Sequence, residues 1–127
     1  MPSHKIYEDD EAVAFLNIKP IKPGHTLVVS KRHFNTFLDT SDEILAMLFP
    51  KVKKVAKAIV AGLGDEGCNI SVNVGRAAGQ VIFHTHVHII PRGNSDGLID
   101  WPHREYKSGE AEEIAEKIKL AIKHASY

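Results

Sequence analysis

In the octet from Phe83 to Ile90 the chain alternates as far as Ile89, with Phe83, Thr85, Val87 and Ile89 separated by His84, His86 and His88. Successive side chains of a β-strand point to opposite faces, so the octet reads as a strand with an apolar, core-facing row and a row of three imidazoles about 6.6 Å apart. Ordinary solvent faces use Thr, Lys, Glu or Ser, not imidazole three times over. The remaining sequence therefore has to provide a sheet with one face against a core and a use for the other.

The flanking residues supply such a sheet. His4-Lys5-Ile6-Tyr7 and Ala12-Val13-Ala14-Phe15-Leu16, split by the acidic turn Glu8-Asp9-Asp10-Glu11, predict a hairpin. Pro20, Pro23 and Gly24 break the chain before His25-Thr26-Leu27-Val28-Val29-Ser30, a β-branched stretch that suits a third strand, and a loop through Arg32-His33-Phe34 follows. Thr40 with Glu43 forms a capping box, and Ile44, Leu45, Leu48, Val52, Val55, Ala56 and Ile59 keep one helical face, so a helix is expected from Asp42 to about Ala61. Pro50 should kink it, because its ring clashes with the carbonyl of Ala46 and it has no N–H to give. Gly62 and Gly64 end it.

Cys68 to Val74 and Val81 to Ile90 predict two strands in a second hairpin, joined by Gly75 to Gln80. Beyond Pro91 the chain is rich in turn residues up to Ser108, the expected N-cap of a last helix with Ala111, Ile114, Ala115, Ile118, Ala121 and Ile122 on one face. Glu110, Glu112 and Glu113 at its start and Lys119 and Lys123 near its end complement the helix dipole. About five strands with two helices imply an α+β fold, an antiparallel sheet covered on one face, in a single domain over residues 1–127. The open face is left as a ligand platform, and an uncovered edge could pair with a second copy.

Composition narrows the partners. Lys plus Arg and Asp plus Glu number 16 each in 127 residues, so bulk charge gives no reason to expect nucleic acid as a partner. No apolar run approaches the roughly 18 residues of a membrane span, and no membrane association is expected. A single Cys68 cannot form an internal disulfide and the first residues lack a basic-then-apolar leader, which makes a reducing cytoplasm the expected compartment.

Three clustered imidazoles have three uses. A metal could take a neighbouring pair, with His25 or His33 as further donors, but three same-face positions span about 13 Å while zinc nitrogens must all lie about 2.1 Å from one ion. A plain solvent face is the second use. The third is nucleophilic catalysis on phosphorus: neutral imidazole attacks well at pH 7, a second imidazole handles the proton, and backbone N–H groups of Gly75 to Gln80 could cradle phosphate oxygens.

His84-Thr85-His86-Val87-His88-Ile89-Ile90, continued by Pro91-Arg92, resembles the motif of the histidine triad family. The resemblance extends through Phe15-Leu16-Asn17-Ile18-Lys19-Pro20, Pro23-Gly24-His25-Thr26-Leu27-Val28-Val29, Lys31-Arg32-His33, Asn73 and Gly79-Gln80, and covers roughly Ile6 to Arg92. It implies a homodimer with two sheets joined into one, hydrolysing or transferring nucleoside 5′-monophosphoryl groups of a purine nucleotide substrate. By the resemblance His86 attacks the α-phosphorus to give a nucleotidyl-histidine, His88 contacts the scissile phosphate and helps the leaving group, and His84 and His25 orient the site. Asn17 would bond the ribose hydroxyls, Phe15 and Ile18 would line the base pocket, and Asn73 and Gln80 would stand around the phosphate. His33 is left between a supporting role and a surface loop; His4, His103 and His124 have no expected duty. No metal ligand is assigned and no cofactor is required, with Mg2+ admitted for polyphosphate substrates.

Two departures stand out. Members commonly carry Ser or Thr after the Gly-Gln pair, where this chain has Val81, and many bacterial and archaeal members begin with a Cys-x-x-Cys segment that helps hold structural zinc, where this chain has only Cys68. Structural zinc is therefore not expected. Phosphoramidates and dinucleoside polyphosphates both remain open as substrates, and two rivals stand beside the hydrolase: a nucleotide-binding module with little turnover, and a metal-binding protein.

Overall fold

Five segments pair into one antiparallel sheet in the computed structural model, which describes residues 4–99 and 101–125. They are β1 (Lys5–Glu8), β2 (Ala12–Leu16), β3 (Thr26–Ser30), β4 (Gly67–Ser71) and β5 (His86–Arg92), in the order β1-β2-β3-β5-β4. Helix α1 spans Asp42–Leu63 and helix α2 spans Glu110–His124, so the α+β class is as expected. The chain divides into two units: the sheet and α1 lie in the first, which ends at Asp96, and α2 lies in the second, from Gly97.

In the first unit the core forms where α1 lies on one face of the sheet. Ala12 and Ala14 of β2, Val28 of β3, and Val87 and Ile89 of β5 meet Leu48, Val52, Val55, Ala56 and Ile59 of α1. Burying each of the larger aliphatic side chains contributes about 1.5 to 3 kcal/mol. Every buried residue of β5 is at an odd position, so the alternation in the sequence does place Val87 and Ile89 inward and His86 and His88 on the opposite face.

The capping box of Thr40 is not formed. Ser41 is the N-cap of α1, its hydroxyl accepting from the Ile44 N–H at 3.3 Å, while the buried Thr40 hydroxyl donates to the Thr36 carbonyl and meets the Thr85 hydroxyl. The helix runs through Pro50 without a break and ends two residues later than expected, at Gly64 in the left-handed region, whose N–H donates to the Val60 carbonyl. At α2 the N-cap is Gly109 in place of Ser108, and none of the helix is buried.

The largest correction concerns the second hairpin. β4 stops at Ser71 where Val74 was expected, and β5 starts at His86 where the hairpin reading expected Val81, with a 3₁₀ turn at Arg76–Ala78 between them. The physical reason is where the backbone bonds go. The Thr85 N–H donates to the Phe34 carbonyl at 2.8 Å, and the buried Gln80 amide holds Gly75, Asn35 and Ile82, so residues 80–85 form a loop laid against residues 34–36. Phe83 and His84 thus lie outside the sheet and Phe83 is exposed. Pro91 is tolerated inside β5 because β3 pairs only as far as Ile89, leaving that end of β5 with β4 as its one neighbour.

Candidate active site

The open face of the sheet carries the site. Register sets Phe15 beside Leu27 and Leu27 beside His88, so an apolar side chain from β2 and one from β3 flank the histidines of β5. A cleft of about 480 Å³ lies here, walled by Phe15, Leu16, Asn17, Ile18 and Leu27 on one side and Asn73, Gly79, Val81, Ile82, His86 and His88 on the other. Of the nine residues singled out in the sequence, six line it: Phe15, Asn17, Ile18, Asn73, His86 and His88.

The other three stand behind it. His25 is buried under His88. Gln80 spends its amide on the loop bonds above, so it shapes the wall without facing the cleft. His84 turns away: its Nε2 meets the Ser30 carbonyl at 2.9 Å and its Nδ1 meets His33 Nδ1 at 3.0 Å. The row of three imidazoles is therefore a pair, because the chain leaves the sheet before His84. Asn17 also closes its own turn, accepting from the Lys19 N–H at 2.9 Å. Leu27 and Ile82 were not singled out; the parity of Leu27 in its strand could have found it, whereas Ile82 sits in a loop that gave no such signal.

Hydrogen bonds fix which nitrogen of each ring carries the proton. His86 Nδ1 lies 2.7 Å from the His84 carbonyl, an acceptor, so Nδ1 is protonated and Nε2 of the neutral ring holds a lone pair. The opposite holds at His88. The Ile21 N–H donates to His25 Nδ1 at 3.1 Å, which leaves the proton of neutral His25 on Nε2, and that atom lies 2.9 Å from His88 Nδ1. His88 Nδ1 is then the acceptor and His88 Nε2 the donor, and among the described residues this nitrogen is the one buried side-chain polar atom without a protein partner. The rings of His86 and His88 are 4.9 Å apart, nearly edge to face.

Burial, and next the charges that His86 and His25 would carry, push His88 down to about 4; burial alone pushes His25 down. Both rings are thus neutral near pH 7. Gly24 makes the seat of His25 possible. Its φ of +97° is in glycine's region, and a Cβ there would run into Leu63 Cδ1 and press on Pro91.

No three His, Cys, Asp or Glu groups gather in a metal-holding cluster among the described residues. His33 and His84 meet as a pair only, which does not fit the four-ligand set of a structural zinc. No helix of the described residues is long and apolar enough to cross a membrane.

Known proteins resemble this chain in sequence and in fold. Adenylylsulfatase HINT3 of Arabidopsis thaliana is 44% identical over 97 residues, 76% of this chain and 49% of that protein, so the chain spans about half of that relative. The adenosine 5′-monophosphoramidase hnt1 of Schizosaccharomyces pombe is 40% identical over 125 residues, 97% of this chain and 91% of that protein. A crystal structure of a HIT family member from Bacillus subtilis matches with a TM-score of 0.86 at 36% identity, covering 100% of this chain and 91% of that one. The HIT domain model matches residues 1–95, the stretch that contains the whole sheet, α1 and every residue of the cleft. On these grounds the chain belongs to the HIT family, with relatives named for hydrolase-type activities.

Proposed function

We propose that the protein hydrolyses or transfers nucleoside 5′-phosphoryl groups at the α-phosphorus, with His86 as the nucleophile. The observation that carries this reading is the opposed pair of tautomers, a lone pair on His86 Nε2 beside an unpartnered N–H on His88 Nε2. His86 Nε2 forms a bond to phosphorus as the bond to the leaving group breaks; the leaving group keeps that electron pair and takes a proton from solvent. Positive charge then develops on the His86 ring, and the His84 carbonyl on Nδ1 stabilises it. A neutral His88 suits the step twice: its N–H can donate to a phosphoryl or leaving-group oxygen, and it adds no charge against the forming cation. Water then attacks phosphorus, the P–N bond breaks, and the nucleoside monophosphate leaves with neutral His86 restored.

Phe15, Leu16, Ile18 and Leu27 offer an apolar wall for a purine, with Asn17 beside the ribose and Asn73 beside the phosphate. The two named relatives favour an adenylyl group carried on nitrogen or sulfate as the substrate class, with dinucleoside polyphosphates as the next choice. Catalysis on a phosphoramidate needs no divalent ion in this scheme, and Mg2+ enters only with a polyphosphate. The working form is a homodimer built on the β4 edge, where half-exposed Ile70 adjoins an apolar groove of Phe49, Val52, Ala56 and Val60.

The test is a panel of AMP phosphoramidate, adenylyl sulfate, Ap3A and Ap4A with wild type and His86→Ala. An acid-labile adduct of nucleoside monophosphate mass should appear on His86 in quenched reactions, and His86→Ala should bind AMP without turnover. Near wild-type turnover by His86→Ala would overturn the assignment, tight AMP binding with no turnover of any substrate by wild type would favour a binding module, and turnover lost to EDTA and restored by zinc would favour a metal site.

A further inference from the structure

The nucleophile is held by a peptide group that is itself held from outside the cleft. The His84 carbonyl that accepts from His86 Nδ1 and the Thr85 N–H that donates to the Phe34 carbonyl belong to one planar peptide, facing opposite ways. A pull on the N–H end therefore aligns and polarises the carbonyl end. The position of that peptide depends on the side chain of His84, which lies across the loop 30–36: Nε2 donates to the Ser30 carbonyl, leaving Nδ1 to accept. His33 Nδ1 is the donor it meets, at 3.0 Å, with the rings 4.9 Å apart and edge to face. Nε2 of His33 lies 2.8 Å from the Asn35 Oδ1 position. Because a neutral His33 has its one N–H on Nδ1, the Asn35 amide must turn its NH2 toward Nε2 and donate, and the Asn35 backbone carbonyl accepts from the Gln80 amide at 2.7 Å. Three consecutive links thus run from Asn35 in the exposed loop to His86, and among the described residues His33 is the one side chain that closes on both His84 and Asn35.

We propose that His33 is a positioning residue for the nucleophile. Resting on the reading of His86 as that nucleophile, the His33–His84 imidazole pair sets the plane of the 84–85 peptide, and with it the direction of His86 Nε2 toward phosphorus. His33 does not line the cleft and touches no substrate. Its loss should therefore slow the chemical step and leave nucleotide affinity alone. Had it only propped up the loop, the walls Val81 and Ile82 would move with it and AMP affinity would fall as well.

His33 is exposed, so substitutions there should fold. His33→Leu removes the donor and should lower single-turnover rate about three- to tenfold, the range of one hydrogen bond acting on the transition state, with AMP affinity within about twofold of wild type. His33→Asn places an amide N–H where Nδ1 was and should recover most of the rate. In a His84→Leu background, His33→Leu should add nothing further. Unchanged rate in His33→Leu, equal losses of rate and AMP affinity, or His33→Asn no better than His33→Leu would each overturn the proposal. His86→Ala, run alongside, keeps the two readings apart: if it stays active, the nucleophile assignment fails; if it is dead while His33→Leu is normal, only the positioning role fails.

Discussion

Removing the titrating ring of His88 should flatten the acid sensitivity of the fold. In the folded protein His88 is held neutral down to about 4, by burial first and then by the His86 and His25 rings, whereas an unfolded chain takes up a proton on the same ring near 6.5. Between those values the unfolded state binds more protons than the folded one, so stability is full above about pH 6.5 and is lost as pH falls toward about 4. At pH 7.5 the unfolded ring is hardly protonated and the loss is negligible. At pH 5.0 the unfolded ring is almost fully protonated and the folded ring still mostly bare, which places the loss at about 2 kcal/mol.

His88→Asn is the informative change, because the Asn amide stands where Nδ1 was and can still accept from His25 Nε2–H while carrying no titrating group. Urea unfolding followed by circular dichroism at pH 7.5 and 5.0, at one fixed protein concentration, gives both slopes. Wild type should lose about 2 kcal/mol more than His88→Asn across that interval, or about 1 M in urea midpoint at an m-value near 2 kcal/mol/M. His25, also held below its ordinary value by burial, is present in both proteins and cancels. A difference below about 0.5 kcal/mol would refute the reasoning, since His88 would then take up its proton in the fold as readily as in the unfolded chain.

Val81 is 85% exposed on the cleft wall, so Val81→Ser or Val81→Thr should fold normally and place a hydroxyl near the leaving group. A rise of about three- to tenfold in turnover is expected, with AMP affinity unchanged; equal rates across several leaving groups would show that departure is not limiting. Gly24→Ala should destabilise by about 1 to 3 kcal/mol in the same urea assay, because the left-handed φ and the Leu63 methyl both oppose a Cβ. Sedimentation at micromolar concentration should give about 28 kDa, twice the 14.1 kDa chain; a mass near 14 kDa would contradict the β4-edge dimer. Turnover of a phosphoramidate should survive EDTA, and its loss with recovery on zinc would overturn the metal-free scheme.

Local rules made much of the sheet and α1 readable. β1 and β2 follow from apolar stretches on either side of an acidic turn, and α1 from a repeating apolar face closed by Gly64. They failed at Val81 to Thr85, where the apolar run Val81-Ile82-Phe83 leads into the alternation and fits a strand as well as the residues from His86 onward do. The decision there is made by Phe34, 51 residues away, whose carbonyl takes the Thr85 N–H before a neighbouring strand can. Thr40 misled for a similar reason: beside a helix start it looks like a cap, but the Thr36 carbonyl and the Thr85 hydroxyl claim its oxygen, and Ser41 caps instead.

The site shows a sharper version of the same limit. His86 and His88 are identical side chains two residues apart on one face, and nothing in their spacing says that one should present a lone pair and the other a proton. Partners on the protected side make the difference. His86 turns its Nδ1–H back to a carbonyl of its own chain, two residues earlier, a bond available wherever the chain leaves the sheet just before it. His88 instead receives a proton donor, and the direction of that bond is set two links away, by the Ile21 N–H that occupies His25 Nδ1. Ile21 can reach only because Pro20 to Gly24 turn tightly enough to bring the backbone over the imidazole of His25, and that turn needs the φ of Gly24. The spaced Pro-Gly-His segment, read in the sequence as a strand break and a supporting histidine, is thus the element that assigns His88 its chemistry.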